Sequence, residues 1–334
     1  MGKQADFMEK ILESGGKRGD TVRKVADLLS VSVDSVYRRM REETDLSLQE
    51  AFLLSSEFKV SLGEPALDGA SLNCKRGKMV RSVEGFESLM ERFVQQFRDM
   101  RQDSEHHLYY LAANIPPFYT FSFPELGAFQ LYVWMRSMYG IDGRSDEVFS
   151  MDRVPDRLRK LSQMAWEEYR NMRVTEFWNA GTVGHILEQI GYYFDAGLLP
   201  DKKEALGLCD QVQETLRMIQ KQAIAGRRMS GPNLDLPTTT PYRMYWNEIL
   251  QMKDQILAQP QENAILMIPY AGLNYLATTD AAICEDVSRY VDHMARRSYL
   301  MEEMPERERN RFFLRIKKQI DDLRSRIEET DPFL

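Results

Sequence analysis

Basic side chains are concentrated near the amino-terminal end of the chain. Between Ser14 and Arg41 the sequence has seven basic and three acidic residues, a net charge of +4 (seven minus three) in a chain whose formal net charge is −7. Cationic groups at this density can neutralise nucleic-acid phosphates. Because DNA repels an acidic chain as a whole, any contact must be confined to this patch. The predicted phosphate contacts are Lys17, Arg18, Arg23, Lys24, Arg39 and Arg41.

A second set of side chains in the same window could read the edges of bases. Val33, Asp34, Tyr37 and Arg38 fall on one face of a helix, because residues three and four apart are neighbours on a helix surface. Arg38 is the most capable of them, since a guanidinium can donate two hydrogen bonds to one guanine. These four residues are the predicted base-reading set.

Two short helices would have to position these side chains. The apolar residues of the run VRKVADLLSVSVDSVYRRMR have helical spacing on either side of a tight turn near Ser30. The small Ala26 permits a close crossing of the two helices, and Ser32 can cap the second helix through its hydroxyl group. The apolar residues are Val22, Val25, Ala26, Leu29, Val31, Val36 and Met40.

This run resembles the lambda-repressor-like (XRE-type) helix-turn-helix at Val25-Ala26, Ser30 and Val36. The resemblance implies a DNA-binding regulator whose second helix, around residues 32–41, reads the major groove. The family commonly has glycine at the turn, and Ser30 would cost about 1 kcal/mol in a left-handed conformation. The downstream run LSLQEAFLLSSEFKVSLGE resembles the closing helices of the same domain, and SVYRRMREETDLSLQEA is similar to uncharacterised Bacteroidetes regulators.

An ordinary helical hairpin would also fit the pattern. In that case the protein is a helical scaffold or partner-binding protein without sequence-specific DNA binding. The local basic patch favours the DNA-binding interpretation.

The sequence predicts three segments. A five-helix DNA-binding unit covers residues 1–69 and ends among Gly63, Pro65 and Gly69; Ser47 and Glu50 form a capping-box pattern in it. A basic linker follows over 70–83, either as a solvated connection or as an arm lying along phosphates. Residues 84–334 then form a larger module for dimerisation or effector sensing.

Helical periodicity dominates the larger module, so the predicted fold class is mainly α. Residues 226–241 are predicted to form a loop, and 242–268 either a small antiparallel β meander or further helix. The predicted helices are 84–114, 125–139, 156–177, 182–196, 202–225, 279–300 and 305–327.

The last predicted helix carries an apolar stripe of Phe312, Phe313, Ile316, Ile320 and Leu323. Such a stripe either pairs with the same helix of a second copy or packs on its own domain. Because repressor-type domains place two recognition helices on DNA, we expect a homodimer formed through this stripe.

Other chemistry has little support in the sequence. No catalytic motif is present, so we expect no enzymatic activity, and no histidine or cysteine pattern predicts a metal or a cofactor. The aromatic stretch Tyr109–Tyr139 fits either a core or the wall of a pocket for an unknown effector. No long apolar segment or signal peptide is apparent, so we expect no membrane partner and a cytoplasmic location.

Overall fold

The computed structural model describes residues 3–60, 74–141, 147–230, 235–248, 253–260 and 263–330. The chain divides into two compact units, Met1–Leu72 and Asn73–Leu334. The predicted domain boundary near residue 69 and the first part of the predicted linker lie outside the described residues. Further along that linker, Lys75–Arg76 form a short strand, β1, that belongs to the C-terminal unit.

Four helices are found within residues 3–60 of the N-terminal unit, where the sequence predicted five over residues 1–69. They are α1 (Lys3–Ser14), α2 (Arg18–Leu29), α3 (Val33–Met40) and α4 (Leu48–Phe58). Their apolar faces meet in one small core centred on Met8, Ile11, Val25, Val36 and Leu54. The core is local in sequence, which is why the helical pattern predicted it well.

The turns of this unit follow from particular side chains. Ser30 ends α2 in a left-handed conformation (φ 54°, ψ 42°), and the Val31 N–H donates to the Ala26 carbonyl at 2.9 Å. Ser32 then caps α3 by accepting a hydrogen bond from the Ser35 N–H at 3.2 Å. The turn residue and the cap both lie where the sequence placed them.

The C-terminal unit is organised around a nine-stranded mixed sheet. The strands follow the spatial order β1-β8-β7-β6-β2-β3-β5-β4, and β9 pairs with β5. The central strands β2, β3 and β5 are parallel, whereas β6, β7 and β8 form an antiparallel meander beside β2. Besides β1, the strands are β2 (His107–Leu111), β3 (Val174–Trp178), β4 (Arg227–Ser230), β5 (Leu236–Trp246), β6 (Gln255–Gln259), β7 (Ile265–Ala271), β8 (Asn274–Thr278) and β9 (Tyr299–Leu300).

Helices cover both faces of this sheet. The main core lies between one face and most of the helices, and α11 packs on the other face against side chains such as Leu111 and Phe177. The helices are α5 (Val83–Gln102), α6 (Pro117–Thr120), α7 (Pro124–Val133), α8 (Asp156–Tyr169), α9 (Gly184–Asp195), α10 (Lys202–Ala225), α11 (Ala281–Arg296) and α12 (Glu306–Glu329). Among the described residues, no helix has both the length and the apolarity needed to cross a membrane.

The predicted mainly α fold class is wrong for the C-terminal unit. Two stretches predicted as helix ends, 107–111 and 174–178, are the parallel strands β2 and β3, and the predicted loop 226–241 contains β4 and the start of β5. Of the predicted meander at 242–268, the part from 255 to 268 contains β6 and the start of β7, which are antiparallel, but 242–246 is the end of β5, which runs parallel to β3. A strand covered on both faces has no polar alternation, so it looks like a continuation of the amphipathic helix before it.

Candidate nucleic-acid interface

The exposed face of α3 carries the four predicted base-reading residues. Val33 and Tyr37 are 42% and 39% exposed, the Arg38 side chain is 53% exposed, and Asp34 is also exposed. An α-helix with its side chains is about 10–12 Å across, close to the roughly 12 Å width of the major groove of B-DNA, and the eight residues of α3 give it a length of about 12 Å. The helix therefore presents one guanidinium, one carboxylate and one phenol outward, and the Arg38 guanidinium lies 3.7 Å from the Glu43 carboxylate.

Two sets of contacts hold α3 in place. Val36 is fully buried in the core of the unit. On α1, the Gln4 amide donates to the Arg39 and Thr44 carbonyls, both at 2.8 Å, and accepts from the Leu46 N–H at 2.7 Å. No sequence pattern points to Gln4, because its partners are backbone groups distant in the chain. This clamp fixes the end of the helix and the loop that follows it.

Three predicted phosphate contacts have exposed side chains. Lys17, Arg18 and Arg23 are exposed, and none has an ion-pair partner within the described ranges. Lys17 and Arg18 stand at the start of α2, where Lys17 supplies no side-chain cap. The positive end of the helix dipole therefore adds to their charges and favours an anion at this position.

Two other predicted phosphate contacts are paired with surface carboxylates. Lys24 lies 2.6 Å from Glu57 and over the ring of Phe58, at 5.1 Å from its centroid. Arg41 binds Glu43 at 2.8 Å, and this partner raises the pKa of the guanidinium. Both pairs are about half exposed, so water and salt screen them and a phosphate could replace the carboxylate.

The remaining predicted phosphate contact, Arg39, has a different position. Its guanidinium donates to Glu50 on α4 at 2.8 Å, and its side chain is only 12% exposed. Glu50 also accepts from the Ser47 N–H in the predicted capping box. The Arg39 side chain is thus committed to the packing of α3 on α4, which speaks against a phosphate contact.

The apolar stripe of the final helix lies inside its own unit. All five of its side chains are buried and belong to the main core: Phe312, Phe313, Ile316, Ile320 and Leu323. The ring of Phe312 packs on Trp246 of β5 at a centroid distance of 5.3 Å. These side chains are not accessible to a second copy in this fold. The stripe packs on its own domain, which is the alternative that the sequence left open.

The C-terminal unit contains a buried polar cluster that no sequence pattern predicted. Glu176 on β3 is fully buried and accepts four hydrogen bonds, from the hydroxyls of Tyr119, Tyr169 and Tyr242 and the indole N–H of Trp178, at 2.6–2.9 Å. Arg228, also fully buried, donates to Tyr119 at 3.0 Å. Both carboxylate oxygens have two donors each, so the group is saturated and acts in packing rather than in proton transfer.

No family model matches this chain, and no curated protein or solved structure matches it either.

Proposed function

We propose that the protein is a sequence-specific DNA-binding transcriptional regulator of the cytoplasm. In this proposal α3 enters the major groove, Arg38 reads a guanine, and Val33, Asp34 and Tyr37 complete the contact with the bases. Lys17, Arg18 and Arg23 bind phosphates on either side of the groove and set the position of the helix. Lys24 and Arg41 contribute after they exchange their carboxylate partners for phosphates.

One observation supports this proposal more than any other. The only fully buried residue of α3 is Val36, and the opposite face of the helix leaves Tyr37 and Arg38 exposed. The helix is also fixed at both ends, by the Ser32 cap and by the Gln4 clamp. A rigid helix that presents polar side chains outward matches what base reading requires.

A homodimer remains part of the proposal. A single helix of this length contacts only a few base pairs. A dimer doubles this contact by placing two recognition helices on two half-sites about 34 Å apart. Since the stripe on α12 is buried, another surface must supply the dimer contact. In the N-terminal unit, Leu48 and Phe52 lie one turn apart on α4 and are 72% and 59% exposed.

The same surface favours a second candidate function, binding of a protein partner without DNA recognition. Exposed large apolar side chains are typical of protein contacts. In addition, Arg39, Arg41 and Lys24 are each paired with a carboxylate, which weakens the basic patch that the sequence suggested.

A gel-shift titration of the full chain distinguishes the two functions. The affinity for DNA selected from a random library is compared with the affinity for scrambled DNA, at low and at moderate salt. Raising the salt weakens the contacts with phosphates more than the contacts with bases. A regulator retains its preference for the selected sequence at moderate salt. A protein-binding module shows equal and weak retardation of both DNAs, which disappears as the salt is raised.

A further inference from the structure

A cavity of about 180 Å³ lies at the carboxyl end of β2. Its wall includes Asn114 and Ile115, which follow β2, and Asp254, which precedes the antiparallel neighbour β6. In open sheets with parallel strands, ligands bind outside the carboxyl ends of those strands. The cavity therefore lies where this architecture accepts small molecules.

Aromatic and aliphatic side chains form most of the wall. Buried side chains that line the cavity include Phe93, Phe118, Trp134, Ile186 and Met267. Phe93 and Phe118 meet edge to face at a centroid distance of 5.6 Å. Cavities of about 150 Å³ with walls of this kind accept a benzene ring. The cavity thus fits one aromatic ring with a small substituent.

An irregular helix shapes one side of the cavity. After Val133, α7 continues as a π-helix over Trp134–Met138, and the first and last residues of this segment line the cavity. The β7–β8 turn closes against it, since the Leu273 N–H donates to the Tyr139 hydroxyl at 2.7 Å. Gly272 has a φ of +63°, and a Cβ there would lie 2.3 Å from the Met138 sulfur. Such π-helical segments often occur at functional sites.

Two buried polar side chains in the wall retain unused hydrogen-bonding capacity. Tyr110 and Gln130 are each 5% exposed. Gln130 donates to Gln189 at 3.2 Å, but its carbonyl oxygen has no donor among the described residues, and the Tyr110 hydroxyl has no partner among them either. Burial, with Asp254 and Glu176 nearby, raises the pKa of Tyr110 well above its usual value, so the hydroxyl remains a donor. Both groups line the cavity, so each can hydrogen-bond a molecule bound there.

Charge narrows the ligand class. Lysine and arginine are absent from the described lining, which contains the Asp254 carboxylate and the His185 imidazole. That carboxylate accepts from the Ala113 and Asn114 N–H groups at 2.9 and 3.2 Å and from the Asn114 amide at 3.0 Å. It therefore holds the end of β2 in place and at the same time disfavours an anion in the cavity.

We propose that this cavity binds an uncharged small aromatic molecule with one hydroxyl group, of the size of a simple phenol. The ring lies among Phe93, Phe118 and Trp134. The ligand hydroxyl accepts from Tyr110 and donates to the Gln130 carbonyl, which satisfies both groups. The site stands on the C-terminal unit alone and does not depend on DNA binding.

Isothermal titration of the full chain with p-cresol, toluene and p-toluate tests the proposal. These probes share the ring and the methyl group and differ in having a hydroxyl, nothing or a carboxylate. We expect p-cresol to bind at millimolar concentration or below, toluene to bind about tenfold more weakly because it lacks the hydrogen bonds, and p-toluate not to bind. Absence of p-cresol binding, or p-toluate binding as tight as that of p-cresol, would overturn the proposal.

The substitution Tyr110→Phe locates the binding. It should weaken p-cresol binding by up to about tenfold and leave toluene binding unchanged. Retained toluene binding also shows that the variant is folded. The matched control is Tyr192→Phe, which removes the hydroxyl of a tyrosine that is 64% exposed on α9. Equal p-cresol affinity in wild type and Tyr110→Phe would contradict the assigned site.

Discussion

The Arg39 guanidinium and the Glu50 carboxylate lie 2.8 Å apart and join α3 to α4. Burial raises the pKa of Glu50, but hydrogen bonds from Ser47 and the charge of Arg39 outweigh it and hold the pKa below its usual value. The pair is mostly shielded from water, with side-chain exposures of 12% and 22%. It links the cap of one helix to the orientation of the candidate recognition helix.

Replacing Arg39 should therefore affect stability rather than DNA contact. We expect Arg39→Met to lower the free energy of unfolding of the N-terminal unit by about 1–2 kcal/mol, because Glu50 loses a partly buried charged partner. Chemical denaturation measures this change. The salt dependence of DNA binding should stay at the wild-type slope, and a decrease of about one in that slope would instead make Arg39 a phosphate contact.

The left-handed turn provides a second prediction. Because Ser30 has a φ of 54°, Ser30→Gly should stabilise the N-terminal unit by about 1 kcal/mol. The control is Ser32→Ala, two residues on, which removes the α3 cap and should destabilise the unit by about 1 kcal/mol. Thermal unfolding of both variants is the measurement. A destabilised Ser30→Gly variant would mean that contacts of the Ser30 side chain contribute more to stability than the left-handed backbone costs.

The three exposed cations Lys17, Arg18 and Arg23 provide a third prediction. Alanine at Lys17, Arg18 or Arg23 should weaken binding to selected and scrambled DNA equally and reduce the salt slope by about one for each residue. The measurement is the DNA affinity of each variant and of wild type across a series of salt concentrations. An unchanged slope in all three variants would remove this end of α2 from the interface.

The buried cluster of the C-terminal unit predicts a large loss of stability. Arg228→Met removes the buried cation of the cluster and leaves the Met172 and Tyr169 carbonyls and the Tyr119 hydroxyl without this donor, which should cost about 3–5 kcal/mol. Arg227→Met is the matched control, because the neighbouring Arg227 is exposed and its replacement should change stability by less than about 0.5 kcal/mol. Equal effects in chemical denaturation would show that the cluster contributes little.

A histidine on β2 predicts sensitivity to acid. Burial, together with the nearby charges of Arg173 and Arg243, lowers the pKa of His107 from 6.5 to about 4. The folded protein therefore keeps the ring neutral while the unfolded chain protonates it. The contribution of His107 to the free energy of unfolding is therefore complete above pH 6.5. It is lost as the pH falls towards 4, by up to about 3 kcal/mol.

The substitution His107→Gln isolates this contribution. Glutamine can still reach the Thr175 hydroxyl, which the His107 ring contacts at 2.8 Å, but it does not titrate. The variant should lose less stability than wild type between pH 7 and pH 4.5 in denaturant titrations, whereas His185→Gln on exposed α9 should behave as wild type. Parallel pH profiles for His107→Gln and wild type would contradict the assignment.

How far the sequence predicted the structure depended on the range of the interactions. The turn at Ser30, the Ser32 cap and the buried Val36 are set by neighbours within one or two helical turns, so their pattern was readable. The strands β2 and β3 were missed because both their faces are covered by elements distant in the chain. In β3 all five residues are buried, and this removes the alternation by which a strand is recognised.

The candidate site was only partly predictable for a related reason. A count of charges between Ser14 and Arg41 included Arg39 and Arg41 but excluded Glu43 and Glu50, the carboxylates that neutralise them in the fold. The role of Gln4 could not be predicted from the sequence, because its side chain binds backbone carbonyls, which every residue has. The apolar stripe of α12 was clear in the sequence, but whether its own subunit or a partner covers it is decided by the rest of the fold.

The central claim is that Arg38 on α3 reads a base, and selection of bound DNA from a random library tests it most directly. We expect wild type to enrich one motif with a fixed guanine. We expect Arg38→Ala, titrated at moderate salt, to lose preference at that position alone at a cost of about 1–3 kcal/mol. Failure to enrich any motif, or an equal loss of affinity for every sequence with the motif unchanged, would contradict the account.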